Sequence, residues 1–311
     1  HETYGEDPFL TAENGKAYVR GLQGDGEVMK TAACAKHFAV HSGPESIRHE
    51  FNAEATQKDM EETYLPAFEA LVKEAKVESV MGAYNRVNGE GACASKFLMG
   101  KLSEWGFDGY FVSDCWAIRD FHEHHGLTKN AVESAALALT AGCDVNCGCT
   151  YVNVLAALDE GLVTKEDIRK ACVHLMRTRI RLGMFDDKTE FDDIPYNIVS
   201  CAEHKKVSLE CAEKSMVLLK NNGILPLDKN KVNTIAVIGP NSNSRIVLEG
   251  NYNGTADRYI TFLEGIQNRF EGRVIYAEGC HLYKQKESGL AMPGDRYAEA
   301  MAAAENADVV I

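Results

Sequence analysis

From Ala12 to about Arg181, short β-rich runs alternate with longer stretches of helical period. The runs TAACAKHFAV (31–40), VESVMGAYN (77–85), DGYFVSDC (108–115) and AGCDVNC (141–147) read as strands. Between them KDMEETYLPAFEALVKEA (58–75) places Met60, Tyr64, Leu65, Phe68, Leu71 and Val72 at i, i+4 and i+7 spacing, which predicts a helix. Strand–helix alternation of this kind predicts parallel strands joined by crossover helices. Four strands end on polar residues, at Lys36-His37, Tyr84-Asn85, Asp114 and Asp144 to Asn146. A parallel α/β barrel brings the carboxyl ends of its strands to one face, and that face carries the site. An open doubly wound sheet gathers them only near its switch point. Either way, the four endings point to one cleft.

The alternation breaks at DDKTEFDDIPYNIV (186–199), an acidic, turn-rich stretch with Pro195 that reads as a linker. A second α/β unit follows: a helical pattern from Glu203 to Lys220, TIAVIGPNS, a helix around TFLEGIQNRF, the strand RVIYAEG, an Ala-rich helix YAEAMAAAENA, and DVVI. The expected division is therefore 1–185, a linker at 186–199, and 200–311. The chain opens on His1 and closes inside a strand pattern, which leads us to expect a piece of a longer polypeptide.

Charge narrows the ligand classes. Against 33 basic residues stand 46 acidic ones, for a net charge of −13, and no Lys/Arg block could track a phosphate backbone. Nucleic acid and acidic phospholipid are disfavoured, leaving a neutral small molecule, a cation or another protein. Apolar runs such as MVLL (216–219) fall far short of the roughly 20 residues that span a membrane, so no membrane association is expected. Ten cysteines in 311 residues are too sparse for a disulfide scaffold. Cys143, Cys147 and Cys149 lack a zinc-site spacing, and FHEHHG, with His122, His124 and His125, reads as a polar loop at a cleft rim in preference to a chelate. AVIGPNSNS lacks the G-x-G-x-x-G fingerprint, which opposes a dinucleotide site.

Lys36-His37 is the less ordinary pair. Consecutive strand residues point to opposite faces, so both reach one pocket only where the strand terminates and the backbone twists. Followed by the polar HSGPESIRHEFNA, the pair reads as hydrogen-bonding groups for a polyol. Tyr84 is either barrel packing or a hydroxyl that holds a neighbouring carboxylate. Asp114 is either the cap of a following helix or a carboxylate nucleophile or base, and the local sequence leaves the two open.

The blocks HETYGEDPFL, AKHF, FNAEATQKDMEETYLPAF, SVMGAYNRVNG, DGYFVSDCWAI, ALTAGCDVNCG, MRTRIRLGMFD, MVLLKNNGILPL and IAVIGPNSN, in this order, resemble glycoside hydrolase family 3, the two-domain β-glycosidases. The resemblance implies an α/β fold, an incomplete (β/α)8 barrel of TIM type followed by the first part of an α/β sandwich domain. It implies Asp114 as catalytic nucleophile and Lys36, His37, Arg48, Met81 and Tyr84 as residues that bind the terminal sugar. The acid/base Glu would lie in the second domain beyond Ile311, so the 311-residue piece alone is expected to be inactive. A retaining glycosidase needs an ionised carboxylate and a protonated carboxyl about 5 Å apart, and no metal or organic cofactor. The implied activity is exo-hydrolysis of β-linked xylose or glucose from an oligosaccharide or an aryl or alkyl β-glycoside, and a homo-oligomeric state is compatible with it. A non-catalytic carbohydrate-binding relic of the same fold is the alternative.

Within the family, KHFAVHSGPESIRHEF departs from the KHFPGHG of the single-domain N-acetylglucosaminidase branch. The blocks SDCWAI, DVNCG and NYNG are similar to those of the β-xylosidase-like branch, in which the Cys after the nucleophile can pair with the one in NCG. That resemblance implies that Cys115 and Cys147 lie close together, bonded or not, and crowd the place of a hexose CH₂OH. It favours xylose over glucose, although Trp116 has no counterpart in the xylosidase block.

Overall fold

A computed structural model describes residues 4–41, 43–250, 252–282, 292 and 294–311. The first three residues of HETYGEDPFL, Ser42 of the loop after Lys36-His37, and Asn251 of NYNG lie outside the described residues. The chain divides into two units, His1–Ile194 and Pro195–Ile311.

In the first unit the extended segments are β1 (Cys34–Phe38), β2 (Asn52–Ala53), β3 (Ser79–Gly82), β4 (Arg86–Val87), β5 (Glu90–Gly91) and β6 (Tyr110–Ser113). Strands β1, β3 and β6 pair in parallel in that spatial order, the arrangement expected of strands joined by crossover helices. β2, β4 and β5 form a small separate sheet. One face of the main sheet is apolar: Phe38, Val80 and Phe111 are fully or almost fully buried with Met60, Leu65, Leu98 and Trp105. Neighbouring side chains leave no room for a Cβ at Gly82, which would stand 2.7 Å from both Cys93 Sγ and the Phe111 ring.

The amino ends of these strands are closed by ion pairs. Glu78, just before β3, is 3% exposed and accepts from Thr178 Oγ1 at 2.6 Å and Arg181 Nη1 at 2.8 Å. Its backbone N–H donates to Gln23 Oε1 at 2.8 Å, so the helix Pro8–Gln23 and the helix Lys165–Arg181 meet at one buried residue, the first on its backbone and the second on its carboxylate. Arg181 also holds Asp108, before β6, at 2.6 Å.

Two expectations for the first unit are corrected. The predicted helix over 58–75 is broken: a short α-helical segment Gln57–Asp59 and a π-helical segment Met60–Tyr64 precede the helix Pro66–Lys73. Pro66 has no N–H to donate, and the wider turn accommodates its ring. AGCDVNC forms a single parallel bridge, Val112 to Val145, in place of a strand. The Asp144 carboxylate accepts the Phe111 N–H at 2.8 Å, taking the ladder position that a backbone carbonyl would fill.

In the second unit β7 (Thr234–Ile238), β8 (Arg273–Ala277) and β9 (Val309–Val310) form a parallel sheet in the order β8, β7, β9. Leu263 of the helix Phe262–Arg269 packs on Ile235 and Val237, while Ala303 of the helix Tyr297–Glu305 packs with Ala236 and Ala277. The two helices thus cover alternate side-chain sets of β7, as period-2 alternation requires. The helical pattern expected over 203–220 is a helix only at Ala202–Ser215.

Phe111, 2% exposed in the central packing of the first unit, carries the stability prediction. Phe111→Ala is expected to cost about 3–5 kcal/mol through lost burial and the cavity it leaves. Urea titration followed by circular dichroism reads this as a lowered midpoint; a cost under about 1 kcal/mol contradicts the packing described.

Candidate active site

β1 ends irregularly. Its register against β3 shifts between Ala35 and Phe38, and the Lys36–His37 and Phe38–Ala39 peptide bonds are cis. Lys36 and His37 are both half-buried, flanked by buried Ala35 and Phe38, and both act on Asp114. His37 Nε2 lies 3.3 Å from Asp114 Oδ2, and the Lys36 charge lowers the Asp114 pKa. Two successive residues of one strand therefore serve one carboxylate.

Asp114 follows β6, and its N–H donates to the Gly82 carbonyl at 3.0 Å, extending the ladder with β3 by one bond. Its side chain is 11% exposed. Oδ1 accepts the Cys115 N–H at 2.7 Å, and the Tyr84 hydroxyl lowers the pKa of the same carboxylate. Turns follow Asp114, and the next helix is a single turn at Asp120–Glu123. Asp114 thus caps no helix; one oxygen is held by the adjacent backbone and the other faces His37.

The electrostatics are opposed in sign. Burial raises the Asp114 pKa above the ordinary 3.8, while the Cys115 N–H, the charges of His41 and Lys36, and the Tyr84 hydroxyl draw it down. The same desolvation, with the negative charge of Asp114, pushes the Tyr84 hydroxyl up to about 12, so that Tyr84 stays a neutral donor.

The other sequence-selected residues surround this core. The Arg48 guanidinium lies 5.4 Å from the Tyr84 ring centroid, and its Nη2 donates to Glu45 at 2.6 Å. Met81 opposes Val112 in the β3–β6 register, and both are half-buried, as is Lys36. Cys115 is disulfide-bonded to Cys147, with Cα atoms 4.3 Å apart. Cys147 is further tied by its N–H to Ser113 Oγ at 3.1 Å and by its carbonyl to the Trp116 N–H at 2.7 Å. FHEHHG is no simple rim loop: His125 is buried, its pKa lowered to about 4 by desolvation, and His122 Nδ1 bonds Ser134 Oγ at 2.9 Å.

Three residues escape a sequence reading. His41 lies against His37, with ring centroids 4.2 Å apart and planes tilted by 41°. His49 and Asp120 join across 71 positions, His49 Nδ1 to Asp120 Oδ2 at 2.8 Å. No local pattern signals that pairing, since it arises where a loop after β1 meets a helix after β6.

The glycosyl hydrolase family 3 N-terminal domain model matches residues 1–178, and the corresponding C-terminal domain model matches 216–311. The chain is 42% identical over 295 residues to a xylan 1,4-beta-xylosidase of Xylanibacter ruminicola, covering 92% of the chain and 34% of that protein. It is 38% identical over 324 residues to beta-D-xylosidase 1 of Arabidopsis thaliana, covering 100% of the chain and 40% of that protein. Among solved structures, a GH3 exo-beta-xylosidase in complex with a xylobiose aziridine probe superposes with a TM-score of 0.87 at 34% identity, over 99% of this chain and 40% of that one. A beta-glucosidase from Listeria innocua in complex with glucose superposes with a TM-score of 0.81 at 30% identity, over 100% of this chain and 43% of that one. The chain thus spans well under half the length of each of these proteins.

Two measurements check this geometry. Denatured without reductant, the ten-cysteine chain exposes eight thiols to a thiol-reactive chromogenic reagent, because Cys115 and Cys147 are paired. After reduction it exposes ten; ten in both conditions contradicts the pairing. The second concerns Asp114, whose folded pKa is raised: the folded state holds its proton more tightly, so its ionisation costs stability once the pH rises above the ordinary 3.8. Asp114→Asn is expected to melt higher than the unsubstituted chain at neutral pH. The difference shrinks as the pH falls through the raised pKa toward 3.8, and a lower-melting variant at neutral pH contradicts the burial cost.

Proposed function

The chain belongs to glycosyl hydrolase family 3, and from that premise we propose that the complete polypeptide is a retaining exo-β-glycosidase with Asp114 as its nucleophile. The observation that carries this reading is a buried carboxylate at the carboxyl end of β6, met by His37 at 3.3 Å and by the Tyr84 hydroxyl. Carboxyl ends of parallel strands are where such folds bind ligands. We read residues 1–185 as part of a (β/α)8 barrel, followed by a linker at 186–199 and the start of an α/β sandwich domain.

In the proposed first step Asp114 Oδ2 attacks the anomeric carbon while a protonated carboxyl outside these 311 residues delivers its proton to the departing oxygen. The glycosyl ester so formed is released by water, with the same second group now acting as base. Lys36, His37 and Arg48 donate to sugar hydroxyls, and Met81 lines the apolar edge of the ring. Tyr84, held neutral by its high pKa, steadies the nucleophile without competing with it for charge. The contacts strengthen in the transition state, where positive charge develops on the ring next to the Asp114 carboxylate.

For the sugar we propose xylose over glucose. The named xylosidases among the relatives support this, as does the Cys115–Cys147 disulfide directly after the nucleophile, where it narrows the space for a hexose CH₂OH. The substrate is accordingly a short β-linked oligosaccharide or an aryl or alkyl β-glycoside.

Hydrolysis of a panel of aryl β-glycosides by the complete polypeptide tests both statements. The β-xyloside is expected to turn over faster than the β-glucoside, and Asp114→Asn to lower kcat by roughly 10³-fold or more. Faster glucoside turnover overturns the sugar assignment; near-normal turnover by Asp114→Asn overturns the nucleophile.

A further inference from the structure

Asp120 stands six residues beyond Asp114 and is fully buried, at 0% exposure. Carboxylates at such depth are costly unless paired and hydrogen-bonded. Asp120 is not a cap: its helix Asp120–Glu123 takes Arg119 as the preceding residue and uses no side-chain bond there. Arg119 itself is engaged with Glu123 at 3.1 Å. The partner of Asp120 is His49, whose Nδ1 lies 2.8 Å from Oδ2. The other oxygen, Oδ1, has no hydrogen-bond partner among the described residues, with His124 Nε2 standing at 3.8 Å.

His49 leads directly to the candidate site. Its ring meets the Tyr84 ring edge-on, centroids 5.0 Å apart, and the Arg48 guanidinium covers the same Tyr84 ring at 5.4 Å. Tyr84 in turn is coupled to Asp114: its hydroxyl lowers the Asp114 pKa, and the Asp114 charge raises that of Tyr84. A carboxylate that accepts Nδ1–H fixes both the tautomer and the plane of an imidazole. An edge-to-face aromatic contact then fixes the position of the second ring.

We propose that Asp120 is a positioning residue of this enzyme: through His49 it holds the Tyr84 ring so that the phenol hydroxyl stays on Asp114. The inference rests on the reading of Asp114 as nucleophile. It gives a role to a buried carboxylate bonded to His49, and it explains why a fully enclosed position carries Asp and not an apolar residue. Asp120→Asn keeps the volume and an acceptor but removes the charge that orients the imidazole, and His49→Gln removes the ring from Tyr84.

A double-mutant cycle in the complete polypeptide tests this, with steady-state hydrolysis of an aryl β-xyloside as the readout. Asp120→Asn and His49→Gln are each expected to lower kcat on the order of tenfold, since small displacements of a site group are expensive. KM is expected to stay within about twofold, because sugar contacts are not touched. In a Tyr84→Phe background the same substitutions are expected to change kcat by less than about twofold, since their route to Asp114 is already cut. Losses of equal size in both backgrounds, or no loss in either, overturn the proposal, and His49, half-exposed, allows the test if Asp120→Asn does not fold. Asp114→Asn in the same assay separates the two ideas: normal turnover there overturns the nucleophile reading and this inference with it, whereas its loss beside equal losses in both Tyr84 backgrounds overturns the inference alone.

Discussion

A carboxyl group almost removed from water has to be held by its neighbours, and the arrangement around Asp114 follows from that constraint. Burial makes its ionised form costly. The Cys115 N–H, His37, Lys36 and Tyr84 each return part of that cost by donating to it or by supplying opposite charge. These partners arrive from three adjacent parallel strands, so the carboxylate can be served only while β1, β3 and β6 keep their register. The apolar packing of Phe38, Val80 and Phe111 beneath, and the Glu78–Arg181–Thr178 cluster at the amino ends, are what keep it.

The two ends of the sheet therefore divide their tasks. At the amino ends polar residues satisfy one another: Glu78 and Asp108 are matched to Arg181, and the buried charge is closed off. At the carboxyl ends they converge on a single group and leave one of its oxygens facing His37. The Cys115–Cys147 disulfide adds a covalent limit on how far the segment after Asp114 can move.

Much of this was legible along the chain because strand ends are local features. Lys36-His37, Tyr84 and Asp114 each sit where a β-rich run gives way to polar sequence, and parallel pairing alone brings such endings together. The closeness of Cys115 and Cys147 came from family resemblance, and spacing by itself did not supply it. Two kinds of feature stayed hidden. A side chain can take a backbone's place, as Asp144 does on the Phe111 N–H, and a strand pattern then yields a bridge. Side chains far apart can also meet, as His49 and Asp120 do, and loop geometry rather than periodicity decides that. The break at Pro66 was written in the sequence, but the apolar period running through it reads as continuous helix.

The central claim is that Asp114 forms a bond to the sugar. Incubating the complete polypeptide with a 2-fluoro-β-xyloside that carries a good leaving group, followed by proteolysis and mass mapping, tests it directly. The account predicts one fluoroxylosyl group on the peptide that contains Asp114, with none on the Asp114→Asn variant. A label on a different carboxylate, or turnover that inverts the anomeric configuration without any label, would contradict it.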